Sequence, residues 1–278
     1  MRNTLLVLFL LVSWTVISQK SVSTHKVNVL FIGNSLTYYH NMPETVQKMV
    51  NETNPNIKIE HSTFPGMPLQ GHLNDIIELR TENSINTRQK QEGEITDTEK
   101  KLAEKSWDFV VLQEGTVRLL IPEVREYSVE TAIAEIKKRI KNPKCTVIIF
   151  KTWPSKDDYP KQYCYSKWSI NHLLENDEYC SPQIENLKQE MKLINTSYDL
   201  VAERNGLLKS ENGNKFYKVL TEYPEIELYD DDIHPNEYGS FLNACVFYQL
   251  FTGKKASGLA YNGTIEPETA RLLKTIAE

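Results

Sequence analysis

Polar and apolar positions along the chain switch between the period of a strand and that of a helix. Residues 27–33 (VNVLFIG) form an apolar run ending in glycine, the pattern of a strand covered on both faces. Residues 43–50 then carry apolar side chains at helical spacing, with Pro43 in the first turn, where its missing N–H costs nothing. Residues 57–63 alternate and break at Pro65-Gly66. The polar, charged segment 74–106 reads as a helical excursion. A second buried run, 109–112, ends at Gln113-Glu114-Gly115, and a third, 145–150, ends at Thr152-Trp153-Pro154. Between them 129–140 is amphipathic. Residues 155–181, rich in Tyr, Asp and Lys without a clear period, read as an insertion. A long amphipathic helix over 183–205 stops at Gly206; 219–229 holds the last strand or an extended loop; and 238–251 is another amphipathic helix, closed by Gly253.

Short apolar strands alternating with longer helices predict an α/β domain whose parallel sheet lies between helical layers. In such sheets a ligand sits outside the carboxyl ends of the strands. Ser35 follows the first strand, Gly66 the second, Gln113 the third and Trp153 the fourth, so four polar or glycine-bearing turns fall on one edge.

Composition narrows the class. A basic start, an apolar stretch over 4–17 and small residues Val16 and Ser18 near the exit read as a signal peptide, residues 1–18, too short for a spanning helix. Residues 19–278 then form one domain, with insertions near 74–106 and 155–181. No later stretch is apolar and long enough to cross a bilayer. The expectation is an exported protein, periplasmic or secreted, without stable membrane insertion. The formal charge of −5 and the interspersed lysines leave no basic stripe for nucleic acid. The four cysteines match no zinc spacing: Cys145 and Cys245 sit in apolar runs, and Cys164 and Cys180 flank the polar insertion, where a disulfide is plausible in an oxidising compartment. Neither metal nor cofactor is implied.

The candidate chemistry lies on the turns. Ser35, in Gly33-Asn34-Ser35-Leu36, stands where a strand gives way to a helix; the same residues are also ordinary turn chemistry. Asp231 and His234, in YDDDIHPNEYG, are spaced so that a carboxylate can orient an imidazole, although an acidic helix start would look alike. Gly66 suits a turn at positive φ. Asn34, Glu114, Trp153 and His72 are candidate substrate contacts, although a histidine such as His72 is more often a surface or satisfied core residue and a tryptophan such as Trp153 more often packing. Arg118 could meet an acidic sugar or form a surface pair.

In combination, the Gly-Asn-Ser-Leu turn, Gly66, Gln113 and the Asp-x-x-His resemble the SGNH, or GDSL-like, hydrolase superfamily in block order over nearly the whole mature chain. Asn34 stands where that family's first block has Asp, and Val111-Leu112-Gln113-Glu114 stands for its Gly-x-Asn-Asp. FIGNSLTYYHNMP together with WDFVVLQEG looks like a Gln-bearing branch of exported bacterial proteins. The resemblance implies a three-layer α/β/α sandwich of flavodoxin-like type. It also implies a Ser35 nucleophile with His234 as base and Asp231 orienting it, and an oxyanion hole from Ser35, Gly66 and Gln113. The implied substrate is a carboxylic ester. Export and the aromatic insertion (Trp153, Tyr159, Tyr163, Tyr165, Trp168) favour an O-acetylated carbohydrate. A lipase or thioesterase of the same superfamily, or a non-catalytic carbohydrate-binding relative, is the alternative.

Overall fold

The computed structural model describes residues 26–156 and 158–278; the expected signal peptide lies outside the described residues. The strands in chain order are β1 (Val27–Gly33), β2 (Ile57–Thr63), β3 (Asp75–Arg80), β4 (Ile85–Gln89), β5 (Phe109–Leu112), β6 (Thr146–Ile149), β7 (Cys164–Ser166), β8 (Glu178–Cys180) and β9 (Leu208–Lys209). Five of them form the central sheet in the order β2-β1-β5-β6-β9, with all four pairings parallel. This is the doubly wound order 2-1-3-4-5 when the sheet strands are renumbered, with its switch point between β1 and β5.

Period-two alternation within the apolar runs divides the core. Val29, Phe31, Val111, Ile148 and Phe150 pack against the helices Met42–Thr53, Asn212–Glu222, Glu237–Thr252 and Pro267–Ala277. Leu30, Ile32, Val110, Leu112, Val147 and Ile149 face the opposite layer, with Ile133 and Ile136 of helix Thr131–Arg139 and Met191, Ile194 and Tyr198 of helix Leu187–Asn205. The three-layer α/β/α sandwich expected from the sequence is the observed architecture.

Four segments add to expectation or depart from it. The 74–106 excursion is only partly helical: β3 and β4 form an antiparallel hairpin before the helix Asp97–Glu104, which Thr96 and Glu99 start with a reciprocal capping box. Residues 219–229 hold no strand. The fifth sheet strand is the two-residue β9, directly after the left-handed Gly206, too short to show any period. The 155–181 insertion contains the β7–β8 hairpin, stapled by a Cys164–Cys180 disulfide. Helix Glu237–Thr252 is buried nearly all round rather than amphipathic, because it lies between the sheet and the helices Met42–Thr53 and Pro267–Ala277. Cys245 is a buried thiol and Cys145 a half-buried one. Among the described residues no helix is long and apolar enough to cross a membrane.

Candidate active site

The switch point brings the ends of β1 and β5 side by side. A Cβ on Gly33 would lie 2.6 Å from Gln113 Oε1 and 2.7 Å from Thr37 Oγ1, so only glycine permits this approach. Through it Gln113 Oε1 accepts the Asn34 N–H at 2.8 Å and the Thr37 hydroxyl at 2.9 Å. Asn34 caps the short helix Ser35–Tyr38: its Oδ1 accepts the Leu36 N–H at 3.2 Å, while Nδ2 donates to the Met67 carbonyl at 3.4 Å. Ser35 is therefore the first residue of a helical turn, where a backbone N–H has no partner within its own helix. The clamp to Met67 draws the Gly66 turn alongside, and Gly66 sits at φ +62°.

The loop before helix Glu237–Thr252 supplies the other half. It folds on itself, the Asp230 N–H donating to the His234 carbonyl at 3.0 Å. Asp231 Oδ1 accepts the N–H groups of Ile233 (2.8 Å) and His234 (2.7 Å), leaving Oδ2 to accept from His234 Nδ1 at 2.7 Å. The opposite nitrogen, Nε2, meets Ser35 Oγ at 2.8 Å. Partial burial works against the Asp231 charge, but the donors from His234 and Ile233 outweigh it and hold the carboxyl below its ordinary range. Two contacts brace the loop from the β6 side: Trp153 Nε1–H donates to the Ile233 carbonyl at 3.0 Å, and the Tyr229 hydroxyl donates to the Pro154 carbonyl at 2.6 Å.

A cavity of about 230 Å³ opens at Ser35, lined among others by Leu36, Gly66, Thr116, Arg118, Trp153, Tyr163, Tyr165 and Ile233. Ser35, His234 and Asp231 thus form a continuous chain of hydrogen-bond distances, and Gly66 edges the cavity beside them. Gln113 is fully buried: its oxygen end holds the nucleophile turn, while its Nε2 has no hydrogen-bond partner among the described residues.

Of the expected substrate contacts, Asn34, Glu114 and Trp153 line the cavity, and His72 does not. His72 is buried in the β1–β2 region, its Nε2–H donating to the Gly33 carbonyl at 3.0 Å and its Nδ1 meeting Thr98 Oγ1 at 2.7 Å; burial pushes its pKa down to about 4. It is a neutral core histidine. Glu114 adjoins the cavity but is 0% exposed, and its carboxylate accepts the Leu69 and Gly115 N–H groups at 2.9 and 2.8 Å. Burial raises its pKa against the opposing pull of Arg118. The Asn34 amide is occupied by its cap and clamp. Trp153 edges the cavity, but one face of its indole is covered by Phe216, stacked at 4.5 Å. Arg118 forms no surface pair: it is buried, 3.4 Å from Glu114 and 2.7 Å from Ser128 Oγ.

Of the insertion aromatics, Tyr163 and Tyr165 reach the cavity, Tyr159 donates to buried Glu190, and Trp168 is exposed away from it. One neighbour of the site was missed. Tyr39 stacks on His234 with centroids 4.1 Å apart and planes at 10°, and nothing in a Tyr-Tyr pair after a serine turn announces such a contact. Among the described residues the grouping closest to a metal-ligand set is Cys164, Cys180 and Glu178, and its two sulfurs are bonded to each other.

No protein-family profile and no curated protein matches the sequence. Solved structures do match. A DUF4886 family protein from Bacteroides uniformis superposes with a TM-score of 0.65 at 16% identity, over 91% of this chain and 93% of its own. A protein from Slackia heliotrinireducens described as a candidate SGNH hydrolase matches with a TM-score of 0.54 at 19% identity, over 82% of this chain and 100% of its own. An alpha/beta hydrolase enzyme from the metagenome of Lake Arreo matches with a TM-score of 0.51 at 15% identity, over 82% of this chain and 96% of its own. The sheet order, the helical layers and these superpositions agree on one conclusion: the chain shares its α/β fold, a parallel sheet between helical layers, with these proteins, the candidate SGNH hydrolase among them.

Proposed function

We propose that the protein is an exported serine esterase that hydrolyses a carboxylic ester, its substrate an O-acetyl group on a carbohydrate. One observation carries the reading. Ser35 Oγ lies 2.8 Å from His234 Nε2, while the opposite ring nitrogen lies 2.7 Å from an Asp231 oxygen already fixed by its neighbours. A hydroxyl, an imidazole and a carboxylate in that order can remove a proton from the serine as it attacks, and return it to the leaving group.

In this mechanism Ser35 Oγ bonds to the carbonyl carbon while its proton passes to His234 Nε2. Asp231 keeps the Nδ1 proton in place and faces the imidazolium that forms. The oxyanion is held by the backbone N–H groups of Ser35 and Gly66; Gln113, the third expected donor, must turn its Nε2 out of its buried position to join them, an atom with no hydrogen-bond partner among the described residues. Collapse breaks the bond to the alcohol, which leaves with the proton from His234, and an acyl group stays on Ser35. Water, deprotonated by the same imidazole, attacks the acyl carbon; the acid departs and the proton returns to Ser35 Oγ. The small volume of the cavity supports a short acyl group over a long-chain lipid. The disulfide-stapled insertion is in keeping with an exported protein.

The test is hydrolysis of p-nitrophenyl acetate beside p-nitrophenyl octanoate by the mature protein and by Ser35→Ala, with a fluorophosphonate probe read by mass spectrometry. Acetate turnover and a Ser35 adduct, both lost in the variant, are the expected result. A folded protein with neither turnover nor adduct would refute the esterase.

A further inference from the structure

The segment after the nucleophile is strained in a way that the serine turn does not require. His40 and Asn41 both adopt the left-handed region, at φ +48° and +52°, and neither is glycine. Such a backbone is uncommon outside glycine and persists only where its surroundings hold it. Here they do: His40 Nε2–H donates to the Asp230 carboxylate at 2.6 Å, and the buried Ser240 hydroxyl donates to the Tyr39 carbonyl at 3.0 Å. The double reversal and these two contacts hold the chain on the C-terminal side of Tyr39, whose ring lies flat against the His234 imidazole. Asp230 is the neighbour of Asp231, so the same pair fastens this segment to the loop that carries the base.

We propose that Tyr39 is a positioning residue for His234, its ring face fixing the imidazole plane and favouring the imidazolium over the neutral ring. The inference rests on the esterase reading for its catalytic consequence, but not for its electrostatic one. An aromatic face is the negative end of a quadrupole and attracts a cation lying over it. In the proposed mechanism that cation exists only after Ser35 has given up its proton, so the contact strengthens as the reaction proceeds and acts on kcat rather than on KM. The other ionisable groups packed around the imidazole are Asp231 and, one position further along the loop, Asp230, which His40 engages. Asp232 lies on the same loop, where its carbonyl accepts the Lys156 N–H, and the Lys156 ammonium itself pairs with Glu227.

The experiment follows the His234 ring protons by NMR through a pH titration, with the resonance assigned by its loss in His234→Gln. Parallel kcat and KM measurements use p-nitrophenyl acetate. A cation over an aromatic face at a partly exposed site shifts such a midpoint by about half a pH unit. Tyr39→Leu should therefore lower the midpoint by about that much and kcat by roughly two- to fivefold, with KM unchanged. Tyr39→Phe should leave both near wild type, and Tyr39→Trp should raise the midpoint, which keeps the idea testable if the leucine variant does not fold. A midpoint indifferent to all three substitutions, or one that falls as far in Tyr39→Phe as in Tyr39→Leu, overturns the proposal. Should the midpoint move as described while Ser35→Ala hydrolyses the ester as fast as wild type, the stack stands and the esterase reading fails.

Discussion

Replacing Asp231 by asparagine changes one atom's chemistry at a place where the surrounding bonds dictate which way the new amide points. Asp231 Oδ1 accepts two backbone N–H groups, from Ile233 at 2.8 Å and His234 at 2.7 Å, whereas Oδ2 faces only His234 Nδ1. An asparagine keeps both backbone bonds only with its oxygen at the Oδ1 position, which puts its NH₂ against Nδ1. Turning the amide over would exchange two bonds for one and leave two donors opposed. At about 1 kcal/mol per hydrogen bond, the first orientation is favoured by roughly one to two orders of magnitude. In that orientation Nδ1 must accept, so the ring proton moves to Nε2, and a protonated Nε2 cannot take the proton of Ser35. The expected result is a loop that folds as before and a kcat lower by at least those one to two orders of magnitude, with a further loss because no carboxylate then faces the imidazolium. Asp231→Ala should behave differently. It removes the loop's two backbone bonds and so lowers the melting temperature further, but it frees the imidazole to sample the productive tautomer and should retain more turnover than the asparagine. Steady-state hydrolysis of p-nitrophenyl acetate and a thermal melt of each variant decide the matter. An asparagine variant within tenfold of wild type, or an alanine variant that is both as stable as the asparagine and less active, would refute the tautomer argument.

Stability should fall in acid through His72. Its folded pKa of about 4 lies below the ordinary 6.5, so the neutral ring's contribution is complete above 6.5 and is lost as the pH drops towards 4. The shift amounts to about 2 kcal/mol between pH 7 and pH 5, and urea titrations of wild type against His72→Gln should show that pH dependence in wild type alone. Gly33→Ala forces a Cβ to within 2.6 Å of Gln113 Oε1 and should abolish turnover through the displaced nucleophile turn, with a lowered melting temperature; a fully active alanine variant would contradict the assigned approach. Removing the staple with Cys164→Ser and Cys180→Ser opens a loop with a sequence separation of 16, costing about 3 kcal/mol if the unfolded chain is otherwise unconstrained. Because Tyr163 and Tyr165 reach the cavity from this hairpin, KM should rise more than kcat falls, and equal KM values would separate the hairpin from substrate binding.

The sequence by itself determined the layers and the edge on which the chemistry sits. The runs 27–33, 109–112 and 145–150 are apolar on both alternating faces, Asn28 and Thr146 near their starts apart, because both faces of a parallel sheet are covered, and the turns that end them are polar because they must be solvated or bonded there. Local spacing also made the Asp231–His234 pair legible, since the loop needs only three residues to close it. What depended on residues far apart in the chain was out of reach of any local pattern. Ser35 and His234 are 199 positions apart, and their 2.8 Å contact exists only because helix Glu237–Thr252 packs beneath β1. The two-residue β9 has no period of its own and is a strand because β6 offers an open edge. Tertiary packing likewise decided which polar residues were spent on structure. His72, Glu114 and Asn34 look like site residues by type and position, but each is buried and bonded to backbone groups, and those bonds fixed where the side chains point. Tyr39 is the reverse case: an unremarkable tyrosine in the sequence, brought onto the imidazole by two left-handed residues that only the contacts of the folded chain could hold in place.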